Sequence, residues 1–216
     1  VAREELAEVL WPGAPPAASR NRFDVALALA RRALEPDAGS RGPFRHLRSE
    51  SGLCRLDPRA VAVDVVEFER LADQADREDG SAPRRGAAAG TSPRAALATA
   101  VEAYGGDLLP ELAYASWVIG ERERLKSRFH RLLNALARCE LAAGDAVRAE
   151  ATARRVLQDD PLAEDAAQIL LRALAARGDR AGLVRSYRSF AKRMNRELDL
   201  DPSPDTAALF AELSGE

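Results

Sequence analysis

At 216 residues, 46% of them apolar, the chain is long enough to bury a sizeable core as one large domain or two small ones. Its 32 basic and 34 acidic residues nearly cancel, which excludes a polyelectrolyte that holds nucleic acid by bulk charge. The two cysteines, Cys54 and Cys139, lie far apart with no partner spacing, so neither a disulfide framework nor a metal site is indicated. No apolar run approaches the roughly 18–20 residues that a membrane helix needs, and no secretory signal pattern is present. The expected compartment is the cytoplasm. The absence of an initiator methionine points to a fragment or a processed chain. Charge is slightly uneven, since residues 1–60 carry ten Arg against eight acids while the rest of the chain is net acidic. That is weak support for a DNA-facing N-terminal portion.

In chain order, Val1 to Leu10 reads as a short amphipathic helix with Leu6, Val9 and Leu10 on one face. Trp11-Pro12-Gly13 stops it, and Pro15-Pro16 holds the chain out of helix. A second helix is predicted from about Ser19 to Leu34, with Phe23, Leu27, Ala30 and Leu34 inward. Glu35-Pro36-Asp37-Ala38-Gly39 ends it. Phe44 to Asp57 reads as a hairpin, with Phe44-Arg45-His46-Leu47 and Leu53-Cys54-Arg55-Leu56 joined through Ser49-Glu50-Ser51-Gly52. Helix, turn, helix and basic hairpin follow the order of a winged helix-turn-helix.

Residues 61 to about 77 form the next predicted helix, with Val65, Phe68, Leu71, Ala72 and Ala75 inward. Glu78 to Pro93 lacks periodicity and reads as a surface loop, either a tolerated insertion or a regulatory segment built on Arg84-Arg85. Further helices are predicted at about 93–104, 114–143, 145–158, 161–177, 179–197 and 204–213. Asp160-Pro161 and Asp201-Pro202 signal helix starts, the second of which can slip to Ser203-Pro204.

This second half repeats. Leu141-Ala142-Ala143-Gly144-Asp145 returns as Leu174-Ala175-Ala176-Arg177-Gly178-Asp179, and Gly144 to Gly178 spans 34 residues, the period of a tetratricopeptide-type helical pair. Each Gly-Asp fits a left-handed helix stop followed by a capping carboxylate for the next helix. The expected fold class is therefore mainly α: a tetratricopeptide-like α–α superhelix behind a partial winged helix-turn-helix with a short β-hairpin wing.

An ordered set of motifs carries a resemblance. Leu10-Trp11-Pro12, Arg20-Asn21, Ala30-Arg31-Arg32-Ala33-Leu34-Glu35-Pro36 and Arg55-Leu56-Asp57 resemble the DNA-binding part of SARP-type bacterial transcription regulators. Val63-Asp64-Val65-Val66-Glu67-Phe68-Glu69-Arg70-Leu71, Tyr104-Gly105-Gly106-Asp107-Leu108-Leu109, Trp117 with Glu121-Arg122 and Leu125, Asp160-Pro161-Leu162 and Leu200-Asp201-Pro202-Ser203 resemble their bacterial transcriptional activator domain. The resemblance covers nearly the whole chain and implies two domains, a partial DNA-binding winged helix over 1–60 and the activator domain over 61–216. It is partial because such regulators carry a small sheet and one more helix ahead of this point.

Carried over by position, the resemblance assigns Arg20, Asn21, Arg22, Arg31 and Arg32 to a recognition helix and Arg45, Arg48 and Arg55 to the wing. Long cations reach phosphate oxygens or the guanine edge. The implied partners are promoter DNA, in the complete protein, and protein partners or a second copy through the helical repeat. Two departures leave an alternative open. Ala28-Leu29 stands where the family shows a polar pair, and Gly52-Leu53-Cys54 where its wing shows Gly-Gly-Tyr. They fit a protein-interaction scaffold whose winged helix no longer binds DNA.

No catalytic reading is supported, and no cofactor or metal is expected. His46 sits in the wing, where phosphate contact and a solvated hairpin are equally good readings, and His130 lies beside core positions of the longest helix. Gly105-Gly106-Asp107 lacks the lysine and strand of a phosphate-binding loop and reads as a helix terminator.

Overall fold

The computed structural model describes residues 1–38, 44–79, 92–112 and 114–215. The chain divides into two compact units, Val1–Asp64 and Val65–Glu216. The Arg84-Arg85 segment lies outside the described residues.

The first unit begins with α1 (Arg3–Leu10) and α2 (Pro16–Leu34). Pro16 opens α2 at its first position instead of delaying it, because proline's fixed φ suits a helix start and its missing N–H is an orphan there anyway. Arg31 and Arg32 in the last turn complement the helix dipole. The hairpin is shorter than the sequence suggested. β1 (Leu47–Glu50) pairs with β2 (Leu53–Leu56), and the turn is Ser51-Gly52 alone, with both residues at positive φ (50° and 78°). Such a two-residue turn matches the strand twist, so Ser49 and Glu50 stay in the ladder and Phe44-Arg45-His46 precede it. Val1 and Ala2 lie along β2, with the Val1 carbonyl accepting from Cys54 N at 2.8 Å and the Gly52 carbonyl accepting from Arg3 N at 2.9 Å.

Ala7, Phe23 and Cys54 form this unit's buried cluster, flanked by Leu6, Trp11 and Leu27. The inward side of α1 is thus Ala7 with Leu6, whereas Val9 and Leu10 are exposed. Leu34, expected to face in, is 40% exposed because α2 runs past the small cluster it covers.

In the second unit α3 (Asp64–Asp79), α4 (Pro93–Glu102), one 3-10 turn (Pro110–Leu112), α5 (Ser116–Ala142), α6 (Ala146–Asp159), α7 (Glu164–Ala176), α8 (Arg180–Leu198) and α9 (Pro204–Ser214) follow in order. Successive helices pack on one another from α4 to α9. One cluster joins Phe68, Ala72 and Ala75 of α3 to Leu97 of α4 and Leu125, Phe129 and Leu133 of α5. Tyr104 stacks on Phe129 with ring centres 4.1 Å apart and meets Phe68 edge-on. The second cluster joins Ala137, Ala153, Ile169, Leu170, Leu171, Leu174 and Leu183. Fully buried alanines at 149, 153, 166 and 173 let the helices approach closely.

The repeat turns form as the sequence dictates. Gly144 and Gly178 sit at φ +80° and +70°. Gly144 N donates to the Leu141 carbonyl and Asp145 N to Glu140, and Gly178 and Asp179 repeat the pattern onto Ala175 and Leu174. Asp145 then accepts from Arg148 N and Asp179 from Gly182 N, each capping the next helix. Ser203 caps α9 in the same way, so that start slips to Ser203-Pro204.

Asp160-Pro161 behaves differently. Asp160 Oδ1 accepts from Leu162 N at 3.1 Å, which spends the carboxylate on a local turn and delays α7 to Glu164. The α4 helix stops at Glu102, and Arg122 of α5 holds the loop beyond it by donating to the Leu108 and Leu109 carbonyls at 2.9 and 2.8 Å. Glu164 accepts from Ser203 N at 2.7 Å. Burial pushes the Glu164 carboxyl up, but the hydrogen bonds from Ser203 and Thr206 outweigh it and hold the group below its ordinary value.

Candidate nucleic-acid interface

The eight positions assigned from the family resemblance all lie in the first unit, and their surroundings separate them. On α2, Arg22, Val25, Leu29 and Arg32 follow at steps of three, four and three, which places them on one stripe of the helix. All four are exposed, Val25 by 55% and Leu29 by 60%, while Phe23, Leu27 and Ala30 turn toward the cluster. Asn21 is exposed beside Arg22, and neither Arg22 nor Arg32 has an ion-pair partner among the described residues.

Arg31 is different. Its Nε donates to the Leu47 carbonyl at 2.9 Å, and its guanidinium lies 4.7 Å from the centre of the Phe44 ring. Those two contacts fasten α2 to the start of β1, so this arginine is an anchor of the hairpin. Arg20 is exposed on another side of α2, where it borders a cleft of about 500 Å³ shared with Arg3, Glu4 and Glu8 of α1. Arg3 in turn pairs with Asp24 and covers the Phe23 ring.

In the hairpin, Arg48 and Arg55 are direct cross-strand partners and both are exposed. Like charges facing each other on a sheet are unfavourable unless an anion lies between or beside them. Asp57 supplies one, with its Oδ2 3.1 Å from the Arg48 guanidinium, while no ion pair to Arg55 forms among the described residues. The Arg45 side chain is also exposed.

Glu35 was read from sequence as part of a helix stop and of a family motif, with no role of its own, yet it organises the hairpin approach. Its carboxylate accepts from Arg45 N at 2.8 Å and from His46 N at 2.7 Å, and His46 Nδ1 lies 3.1 Å away. The Glu35 side chain is only 8% exposed. The Arg45 backbone hydrogen bond, with those of His46, holds its carboxyl below the ordinary 4.5. His46 is thereby tied to the end of α2. A carboxylate at a helix C-terminus opposes the dipole, which was the sequence signal that Glu35 has another partner.

Among the described residues no group of three or more His, Cys, Asp or Glu is placed to hold a metal, and no helix is long and apolar enough to cross a membrane. His130 lies 3.3 Å from Asp159.

A helix-and-hairpin unit whose outward stripe is bracketed by Arg22 and Arg32, followed by a helical-repeat unit, is the arrangement that the resemblance to SARP-type regulators implies. Residues 63–214 match the bacterial transcriptional activator domain, and the chain belongs to that family. Its resemblance to SARP-type regulators is thereby borne out. No curated protein matches the chain. Among solved structures it is similar to Mycobacterium tuberculosis EmbR in complex with a low-affinity phosphopeptide, at 21% identity and a TM-score of 0.74. That match covers 99% of this chain and 54% of EmbR, so the chain spans about half the length of that protein. The shared fold is the mainly helical one expected from the sequence, with the hairpin near its N-terminus.

Proposed function

We propose that the chain is the DNA-binding and activator portion of a bacterial transcription regulator. In this reading residues 1–60 form a partial winged helix that contacts promoter DNA. Residues 61–216 form a helical-repeat domain for self-association or for contact with partner proteins. Such a role is exercised in the cytoplasm and requires no cofactor.

The observation that carries the reading is the sorting of cations on α2. Arg22 and Arg32 bracket an exposed stripe and are free of ion pairs among the described residues, while Arg31 is spent on Leu47 and Phe44. A recognition helix needs that division: an outward face of long cations for phosphates and base edges, and an inward face that fixes the wing. Arg48 and Arg55, side by side on the hairpin, fit phosphate contacts. Of the eight assigned positions, Arg22, Arg32, Arg48 and Arg55 are then the principal DNA contacts, with Asn21 and Arg45 beside them, Arg20 at the margin and Arg31 in support.

Val25 and Leu29 at the middle of the stripe favour a second reading, a scaffold whose winged helix meets protein. The outward Arg22 and Arg32, without ion-pair partners among the described residues, support the DNA reading over it, since a face made only for protein needs no unpaired cations at its ends. The discriminating experiment titrates a fragment of the parent gene's own promoter with the complete parent protein. Arg22→Glu/Arg32→Glu is expected to weaken binding at least ~10-fold, from two lost cationic contacts and two added repulsions. Unchanged affinity would assign the stripe to a protein partner.

A further inference from the structure

Helix α8 carries Arg180, Arg185, Arg188, Lys192, Arg193 and Arg196 against a single acid, Glu197. Arg185, Ser189, Lys192 and Arg196 follow at helical steps along one face, with Arg188 and Arg193 flanking it. Two of these cations are engaged: Arg180 donates to the Ser214 carbonyl at 2.6 Å, and Arg196 pairs with Glu197. Arg185, Arg188, Lys192 and Arg193 have no ion-pair partner among the described residues. By itself such a face is ordinary solvated charge.

What distinguishes it is the cleft beside it. Between α6, the α7–α8 turn and α8 lies a cleft of about 370 Å³. Its floor is apolar, formed by Leu157, Pro161, Leu170 and Phe190. Its rim is cationic, formed by Arg154, Arg185 and Arg193, with the Ser186 and Ser189 hydroxyls between. Arg154 is partly neutralised by Glu150 at 2.9 Å. Among the described residues lining the cleft Asp179 is the one carboxylate, and its Oδ1 is taken by Gly182 N at 2.8 Å. Arg193 is half-buried and has no ion-pair partner among the described residues.

We propose that this cleft binds an acidic peptide segment of a partner protein, with carboxylates on Arg185 and Arg193 and one apolar side chain on the Leu157–Phe190 floor. Guanidinium recognises carboxylate in bidentate fashion, and an apolar anchor needs a floor. A nucleic acid would use the cations but not the floor. Single strands demand exposed aromatic platforms, and among the described residues Phe190 is the only aromatic lining the cleft and is itself buried. The inference deepens the partner-contact part of the proposed function and rests on it, and it is independent of promoter binding by residues 1–60.

The test uses the full chain and fluorescence anisotropy with three labelled probes. One is a short peptide of Glu and Asp around a central Leu-Phe pair, the second has Ser-Ser in place of that pair, and the third is a DNA duplex of unrelated sequence. The anchored peptide is expected to bind saturably, and Arg185→Glu/Arg193→Glu to weaken it about 10-fold, with Arg185→Gln/Arg193→Gln between. The Ser-Ser peptide is expected to bind about 10-fold more weakly than the anchored one. The thermal midpoint of each variant and its promoter binding in the complete parent should be unchanged. Equal binding of both peptides, no binding of either, indifference to both substitutions, or a duplex whose binding alone is lost on charge reversal would overturn the proposal. So would a dimer of the chain that charge reversal dissolves. Loss of promoter binding by the α2 variants with peptide binding intact, or the reverse, separates failure of one reading from failure of the other.

Discussion

The two units are held by different physics. In Val65–Glu216 buried leucines, alanines and aromatics run from α3 to α8, and the repeat turns are closed by glycine and capped by aspartate. In Val1–Asp64 the buried cluster is Ala7, Phe23 and Cys54, and much of the remaining order comes from polar ties. Arg31 holds Leu47, Glu35 holds Arg45 and His46, Asp57 meets Arg48, and the Val1 segment pairs with β2. A unit with so small a core commits some cations to its own structure and leaves the others outward. Which arginine does which job therefore has to be read from its partners.

The contrast can be broken by substitution. The largest effect is expected in the helical unit, where Leu174 is fully buried. Leu174→Ala should cost about 2–5 kcal/mol in a urea unfolding series, by lost transfer energy plus the cavity left behind. A smaller effect is expected in the first unit. Arg31→Ala removes a charged hydrogen bond and a ring contact, about 1–2 kcal/mol, and should speed hydrogen exchange of the hairpin amides. Arg32→Ala, one residue on but exposed, should stay within about 0.5 kcal/mol. Gly178→Ala forces a side chain onto φ +70° and should cost about 1 kcal/mol while leaving the hairpin unaffected.

The smallest effect is one of pH. The folded Glu35 carboxyl titrates below its ordinary 4.5, so its stabilisation is complete above that value and is lost as pH falls through the folded pKa. Acid should therefore loosen the Arg45 and His46 amides before the repeat turns, as followed by amide chemical shifts. Glu35→Gln should remove that pH dependence.

What the sequence revealed was local. Gly144-Asp145 and Gly178-Asp179 carry their own stop and start chemistry, so the repeat was legible residue by residue. The α7 start was not, because Asp160 had two local outlets and the turn to Leu162 won. Pro16 was read as a breaker when it sits where a helix tolerates proline. Helical spacing identified the side of α2 that Phe23 and Leu27 cover, but not how short the cluster beneath Leu34 would be. In the candidate interface the residue types were legible and their division of labour was not. The partners of Arg31 and Glu35 lie ten or more positions away, across segments that no periodicity links.

The account turns on cations that meet phosphate, and the salt dependence of promoter binding by the complete parent protein tests it most directly. Each phosphate contact removed should lower the slope of log affinity against log salt by about 0.9. Arg48→Gln/Arg55→Gln should therefore flatten the slope by about 2 if each arginine covers one phosphate. A slope that both substitutions leave untouched, or a promoter affinity indifferent to salt in the unaltered protein, would contradict the account.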